Sequence, residues 1–361
     1  MDALADRLMR GPRGRHFLMG MLAAGSERAS EAIFLASRDF SDNSASFGWA
    51  VEGSSTWEPP HVTPSQAADA LAAVAASAPH VRGLLRALRE TVDDAMYWQA
   101  PGGGEVLASR PELDEVLARM ASTIAGAPAS AWLDSPLKRD DQHRVRWPST
   151  EHSHGVPHTW DTSTPSAEVL AQWGAAVREE ESTARKERPA DPSAPWGGTW
   201  WSVPPLPLVT TMRALGELGP VGLHLVEDSF GENAAVTVRV AVSPGARVLE
   251  IACAEDWADL CRRHSVDVTA SRRHDWFRCT GRAGDWVIPD WEQVAAQYDG
   301  VHLTGAAYLE ASRVPIRVDD VRASVIAGWN PDTTVWLRDV TRPEYPEVRW
   351  AWPDGGEWVP D

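Results

Sequence analysis

Lysine is almost missing from this chain: Lys138 and Lys186 are the only two among its 34 basic residues, and arginine supplies the rest. GC-rich codon usage produces such a bias. Arginine grips phosphate and carboxylate as a bidentate fork, so the chain is not short of anion ligands. Cysteine is scarce too. Cys253, Cys261 and Cys279 are odd in number and show no C-x-x-C spacing, which argues against a disulfide framework and against an all-cysteine zinc site. No apolar run near the N-terminus reaches the length of a signal peptide or a membrane span, so the reading is cytoplasmic. No G-x-G-x-x-G follows a strand, which disfavours a Rossmann domain. Positive charge is in deficit, with a formal net charge of −17. A nucleic-acid backbone or an anionic membrane would repel such a chain, leaving a small nucleotide-like molecule or a protein target as partner.

What is present is the stuff of a globular protein: 43% hydrophobic and 24% charged residues over a length that accommodates two domains. Residues 1–150 read as a mostly helical domain. Thr63-Pro64-Ser65-Gln66 and Ser109-Arg110-Pro111-Glu112 both have the form of a capping box. Val81 to Val92 carries Leu84, Leu85, Leu88 and Val92 at helical spacing. Between the helices, Tyr97 to Gly104 reads as a turn. Residues 151–195 read as a histidine-rich connector and a charged helix that starts at Thr164-Pro165. From Trp196 the period changes: Val236, Val238, Val240 and Val242 alternate as a half-buried strand. Val248 to Ala252, Val301 to Leu303, Ala323 to Gly328 and Thr334 to Leu337 supply further strands. Asp290 caps a helix through Gln293. Strands joined by short helices without regular βαβ alternation predict an α+β fold, with a split or mixed sheet over 196–345 and a tail at 346–361. A faint echo links Val145-Arg146-Trp147 with Val348-Arg349-Trp350.

Four constellations carry potential chemistry. His152, His154 and His158 have a spacing that suits zinc, although they sit in a connector, and a metal-dependent hydrolase is one alternative built on them. Ser202 follows Trp200-Trp201 but lacks the G-x-S-x-G elbow of a hydrolase, so a hydroxyl that orients a ligand beside indoles fits it better. Pro204-Pro205 is expected to turn the chain into a helix bearing Thr210, Thr211 and Arg213. Arg272-Arg273-His274-Asp275-Trp276 with Arg278 reads as an anion-binding group or a solvated loop. His302, facing inward on its strand, is suited to acid–base work or to a hydroxyl hydrogen bond.

The order of Gly198-Thr199-Trp200-Trp201-Ser202, then Val248 to Cys261, then Asp290 to Leu303 resembles proteins of the ADP-ribosyltransferase-like fold. The resemblance spans roughly residues 196–340. It implies a split sheet clamping NAD as a substrate, with Trp201 and Ser202 at the nicotinamide pocket and Arg213 and Arg273 as further NAD contacts. It also implies His302 and Glu310 as the catalytic candidates near the ribose. The related proteins carry a glutamate on the late strand where this chain has His302, and a histidine brings no negative charge to a cationic transition state. The alternative is therefore a non-catalytic ligand-binding or interaction protein that keeps a degenerate transferase fold.

Overall fold

The computed structural model describes residues 3–40, 60–75, 77–148, 164–227, 229, 231–353 and 356–361. The histidines at 152, 154 and 158 lie outside them. The described chain begins with helices α1 (Ala3–Arg10), α2 (Pro12–Ala23), α3 (Glu27–Ser37), α4 (Pro64–Ala72), α5 (Val81–Asp93), α6 (Gly103–Ala108) and α7 (Asp114–Ala125). The capping box at α4 forms as expected: Thr63 Oγ1 accepts from the Gln66 N–H at 3.3 Å, and Gln66 Oε1 accepts from the Thr63 N–H at 2.8 Å. The one expected at Ser109 does not form. The Ser109 hydroxyl instead donates back to the Glu105 carbonyl at 2.9 Å, and a short 3-10 turn at Pro111–Leu113 leads into α7. Gly103 and Gly104 belong to α6, so the expected turn is shorter than its glycine content suggested.

Sheet and helix then alternate irregularly. The order is β1 (Gln142–Arg146), α8 (Ser166–Glu187), β2 (Thr210–Met212), β3 (Ala234–Val242), β4 (Val248–Ile251), α9 (Ala254–Arg263), β5 (Ser265–Asp267) and α10 (Thr269–Thr280). There follow β6 (Asp285–Pro289), α11 (Trp291–Ala295), β7 (Gly300–Leu303), α12 (Gly305–Ala311), β8 (Ile316–Arg317), β9 (Arg322–Ser324), β10 (Thr333–Trp336), β11 (Thr341–Ala351) and β12 (Val359–Pro360). The fold is α+β. The large sheet runs β12-β11-β3-β1-β2-β10-β7-β4, and a smaller one runs β5-β6-β9-β8. Both are mixed, because β4·β7 and β6·β9 are parallel while the other pairs are antiparallel.

One expectation is corrected by these pairings, and one strand is added to those expected. Thr210 and Thr211 lie on a strand, not a helix, because their β-branched residues fill the gap between β1 and β10. The polar stretch after Lys138 contains β1, which inserts between β2 and β3. The Val-Arg-Trp echo also acquires a meaning: Val145 and Val348 both sit opposite Thr237, and Arg146 and Arg349 both sit opposite Val236. The two segments flank β3 in matching register.

One apolar cluster runs from Leu8, Phe17 and Leu18 of the helical layer through Leu133 to Tyr308, Leu309 and Val301 of the sheet layer. Helix α12 is buried along its whole length. Its approach to the α1–α2 junction depends on Gly11, where a Cβ would lie 2.3 Å from the Leu309 carbonyl oxygen. Deeper in, Trp257, Trp291 and Trp329 form a triangle with ring centroids 5.8–6.2 Å apart, tilted toward edge-to-face. Each indole N–H is satisfied: Trp257 by Ser324 Oγ, Trp291 by the Ser202 carbonyl and Trp329 by the Thr333 carbonyl. The triangle thus ties α9, α11 and the approach to β10 together. Trp257→Ala is expected to lower unfolding free energy by about 3–5 kcal/mol, read as a lower urea midpoint at unchanged m-value.

Candidate functional site

His302 occupies β7, opposite Glu250 of β4 and Thr334 of β10. The ring is buried, and both its nitrogens are engaged: Nδ1 lies 2.6 Å from Glu250 Oε2, and Nε2 lies 3.3 Å from Asp332 Oδ1. The chain of contacts continues outward. Arg213 Nε donates to Asp332 Oδ2 at 2.6 Å, and its Nη2 donates to the Ser135 and Pro136 carbonyls. Glu250 Oε1 accepts the Leu137 N–H at 3.1 Å. Asp332 reaches its place from a left-handed backbone, φ 55°, which a short polar side chain tolerates better than most. Burial works against a charge on His302, but hydrogen bonds to Asp332 and Glu250 outweigh it and raise its pKa. The ring is held between two carboxylates, whose contacts favour its protonated form. Both ring nitrogens are thus within hydrogen-bond distance of carboxylate oxygens.

The other candidates fall elsewhere. Ser202 is fully buried and clips the chain to Ala327: its N–H donates to the Ala327 carbonyl at 3.1 Å, and its Oγ accepts the Ala327 N–H at 3.0 Å. Glu310, on α12, is held by Arg7 Nε at 3.0 Å and Arg10 Nη1 at 2.7 Å, so it anchors α1. Arg273 donates to the Ala190 carbonyl at 3.2 Å. Trp201 is 44% exposed, with its ring edge-on to Trp200 at 5.3 Å. His302 and Arg213 meet through Asp332; Ser202, Glu310 and Arg273 each bond to a different partner set.

The arginine-rich stretch 272–278 is helix α10, not a solvated loop, and Arg272, His274 and Asp275 are buried. Its side chains clamp the backbone of the tryptophan segment. Arg278 donates to the Trp196 carbonyl at 2.7 Å and to the Trp98 carbonyl at 2.8 Å. Asp275 accepts the Gly198 N–H at 3.0 Å, and Trp276 Nε1 donates to the Trp200 carbonyl at 2.9 Å. Arginine here satisfies protein carbonyls, which removes much of its supply from anion binding. The buried thiols of Cys261 and Cys279 are pushed up to about 12 by burial, so they are poor nucleophiles. Among the described residues no group of three or more His, Cys, Asp or Glu side chains is placed to hold a metal ion. No helix there is long and apolar enough to cross a membrane.

Two features were not legible in the sequence. The first is Glu227. Its carboxylate accepts from the Tyr97 hydroxyl at 2.6 Å, and its N–H donates to Asn330 Oδ1 at 3.0 Å. Burial pushes its pKa up to about 7, while the hydrogen bond from Tyr97 and the charge of Arg13 pull the other way. Tyr97 had read only as the edge of a turn, yet it is fully buried and stacks on Trp200 at 5.4 Å. The second is a groove of 630 Å³ on the β1-β3-β11 face of the large sheet, lined among others by Glu217, Thr237, Val348, Trp350 and Trp358. None of the sequence candidates lines it. The alternation Val348, Trp350 was the available signal, but nothing local said that this segment was a strand.

Two pH effects follow, of the same sign. A carboxyl whose pKa is raised by folding stabilises the protein at low pH and loses that contribution as pH climbs from about 4.3 to the folded value near 7. Glu227→Gln, which keeps the acceptor for Tyr97, is expected to flatten that decline and to exceed wild type at pH 8 by about 1–3 kcal/mol in urea unfolding. The His302 pKa is also raised, but its cationic form carries the bonding. Its stabilisation is complete below about pH 6.5 and is lost as pH rises through the folded value. His302→Gln should cost about 3 kcal/mol at pH 6, with the gap to wild type narrowing in alkaline buffer.

No family model matches the chain, and neither a curated protein nor a solved structure matches it.

Proposed function

We propose that this chain is a non-catalytic ligand-binding or interaction protein whose α+β frame resembles a degenerate ADP-ribosyltransferase-like fold. The observation that carries this reading is the state of His302. Its two nitrogens are committed to Glu250 and Asp332, and Asp332 is in turn neutralised by Arg213. A group that grips a ribose hydroxyl or stabilises an oxocarbenium-like transition state must be free to face the substrate. The Ser202 hydroxyl supports the same reading, since its hydrogen bond goes to the backbone of Ala327. These polar groups hold strands together, and binding is left to surfaces that stay open.

A second reading, an NAD-consuming transferase, is favoured by one feature. The Trp201 indole stands exposed at the end of an aromatic row that continues through Trp200 to Trp98, and a nicotinamide ring could stack on such a shelf. The two readings part on turnover. Incubation with NAD should release no nicotinamide above a protein-free control, and NAD should leave the melting temperature unchanged. Nicotinamide release that disappears in both His302→Ala and Ser202→Ala, with those variants still folded by circular dichroism, would overturn the non-catalytic reading.

A further inference from the structure

We infer that the groove on the β1-β3-β11 face is a binding site for an organic cation, an amine or guanidinium carried on a largely apolar body. The inference rests on the reading of the chain as a binding protein and names the ligand class for it. The groove's volume of 630 Å³ falls within the roughly 300–1,000 Å³ of small-molecule sites. Its floor is Thr237, Val348 and Trp350, side chains of neighbouring strands, and Trp358 with Pro360 closes one end. Indole faces attract cations as well as apolar groups.

Charge decides the sign of the ligand. Five side chains of the lining are charged or titratable, and four already have partners. Arg82 pairs with Glu357. Arg239 donates to the Asp140 carbonyl at 2.5 Å and lies 3.8 Å from Glu344. His143 Nε2 is 2.9 Å from Asp141. Glu217 alone has no hydrogen-bond or ion-pair partner among the described residues, and it stands exposed at the rim. The unspent charge of the groove is therefore negative, in a molecule whose net charge of −17 steers cations inward and anions away.

Glu217 is also held in place before any ligand arrives. It sits in a 3-10 turn (Gly216–Leu218) closed by the Ala214–Pro220 bridge and by a hydrogen bond of 2.9 Å from the Leu215 N–H to the Gly219 carbonyl. Gly219 has φ 74°, and a Cβ there would fall 2.5 Å from Trp350 Cη2. The turn thus lies directly on the indole at Gly219, which sets the backbone of Glu217 at the edge of the aromatic floor.

The test uses two probes with one body and opposite charge, phenylbutylamine and phenylbutyrate, titrated into the full chain by calorimetry and by ligand-observed NMR. The amine should bind at least about tenfold tighter than the acid, and Glu217→Gln should weaken the amine by about tenfold, the loss of one charge-assisted hydrogen bond. Val348→Arg, which puts a cation in the floor, should abolish amine binding while leaving the far-ultraviolet circular dichroism of the wild type. Equal binding of the two probes, indifference to Glu217→Gln, or no amine binding at millimolar concentration would overturn the assignment. Nicotinamide release from NAD would sink the binding-protein reading without touching these titrations, so the two failures are distinguishable.

Discussion

An arginine taken wholly out of water must find an acceptor for its charge, and Arg13 imposes that demand on the whole molecule. Fully buried on α2, it donates to the Thr91 and Asp94 carbonyls at the end of α5, and its Nε lies 3.3 Å from Glu105 of α6. Glu105 is shared with Arg313, 2.7 Å away, in the turn that leaves α12. Arg313 in turn caps the Gln99 carbonyl from a left-handed backbone of φ 66°. Removing Glu105 leaves two buried guanidinium groups without their carboxylate, at a cost of about 3–5 kcal/mol. The helical layer and the sheet layer are thus joined by an Arg–Glu–Arg chain inside a continuous apolar cluster, with Arg7 and Arg10 gripping Glu310 beside it.

The same economy governs the candidate site. Residue types that ordinarily announce chemistry are used here to close backbone and charge accounts. His302 is held between two carboxylates, Ser202 is a clip, and the arginines of α10 donate to the carbonyls of the tryptophan segment. Burial explains why this is required. Segment 196–201 lies outside the helices and strands, so its carbonyls need side-chain donors, and long arginines reach them. The groove differs in kind. Apolar side chains line it, its turn is closed by backbone hydrogen bonds, and the Glu217 carboxylate has no partner among the described residues.

Glu227 adds a link between the layers that responds to pH. Tyr97 from the loop after α5 and Tyr308 from α12 converge on it, with Arg13 near enough to matter. A carboxyl poised near 7 at this junction makes the packing of the helical layer sensitive to the proton concentration around neutrality. His302, whose pKa is also raised, responds in the same direction from within the sheet, so both junctions lose stabilisation as pH rises.

Much of the local structure was determined by the sequence alone. The capping pattern at Thr63, the apolar spacing of α5, the alternation of β3 and the Asp290 cap, whose Oδ1 accepts the Gln293 N–H, all formed where the residues placed them. Each depends on contacts within a few positions, and a one-dimensional pattern records those. Strands β1, β2 and β11 were hidden because a strand's stability lies in partners far along the chain: Val145 and Val348 find their meaning only when Thr237 arrives between them. The site was hidden for the same reason. Histidine, serine and arginine declare a capacity, while burial and the neighbours that folding brings decide whether it is spent. In this protein tertiary structure engaged His302, Ser202 and Arg213 with buried partners and left Glu217 exposed at the rim of the groove, because only the folded chain determines which polar groups have partners and which face water.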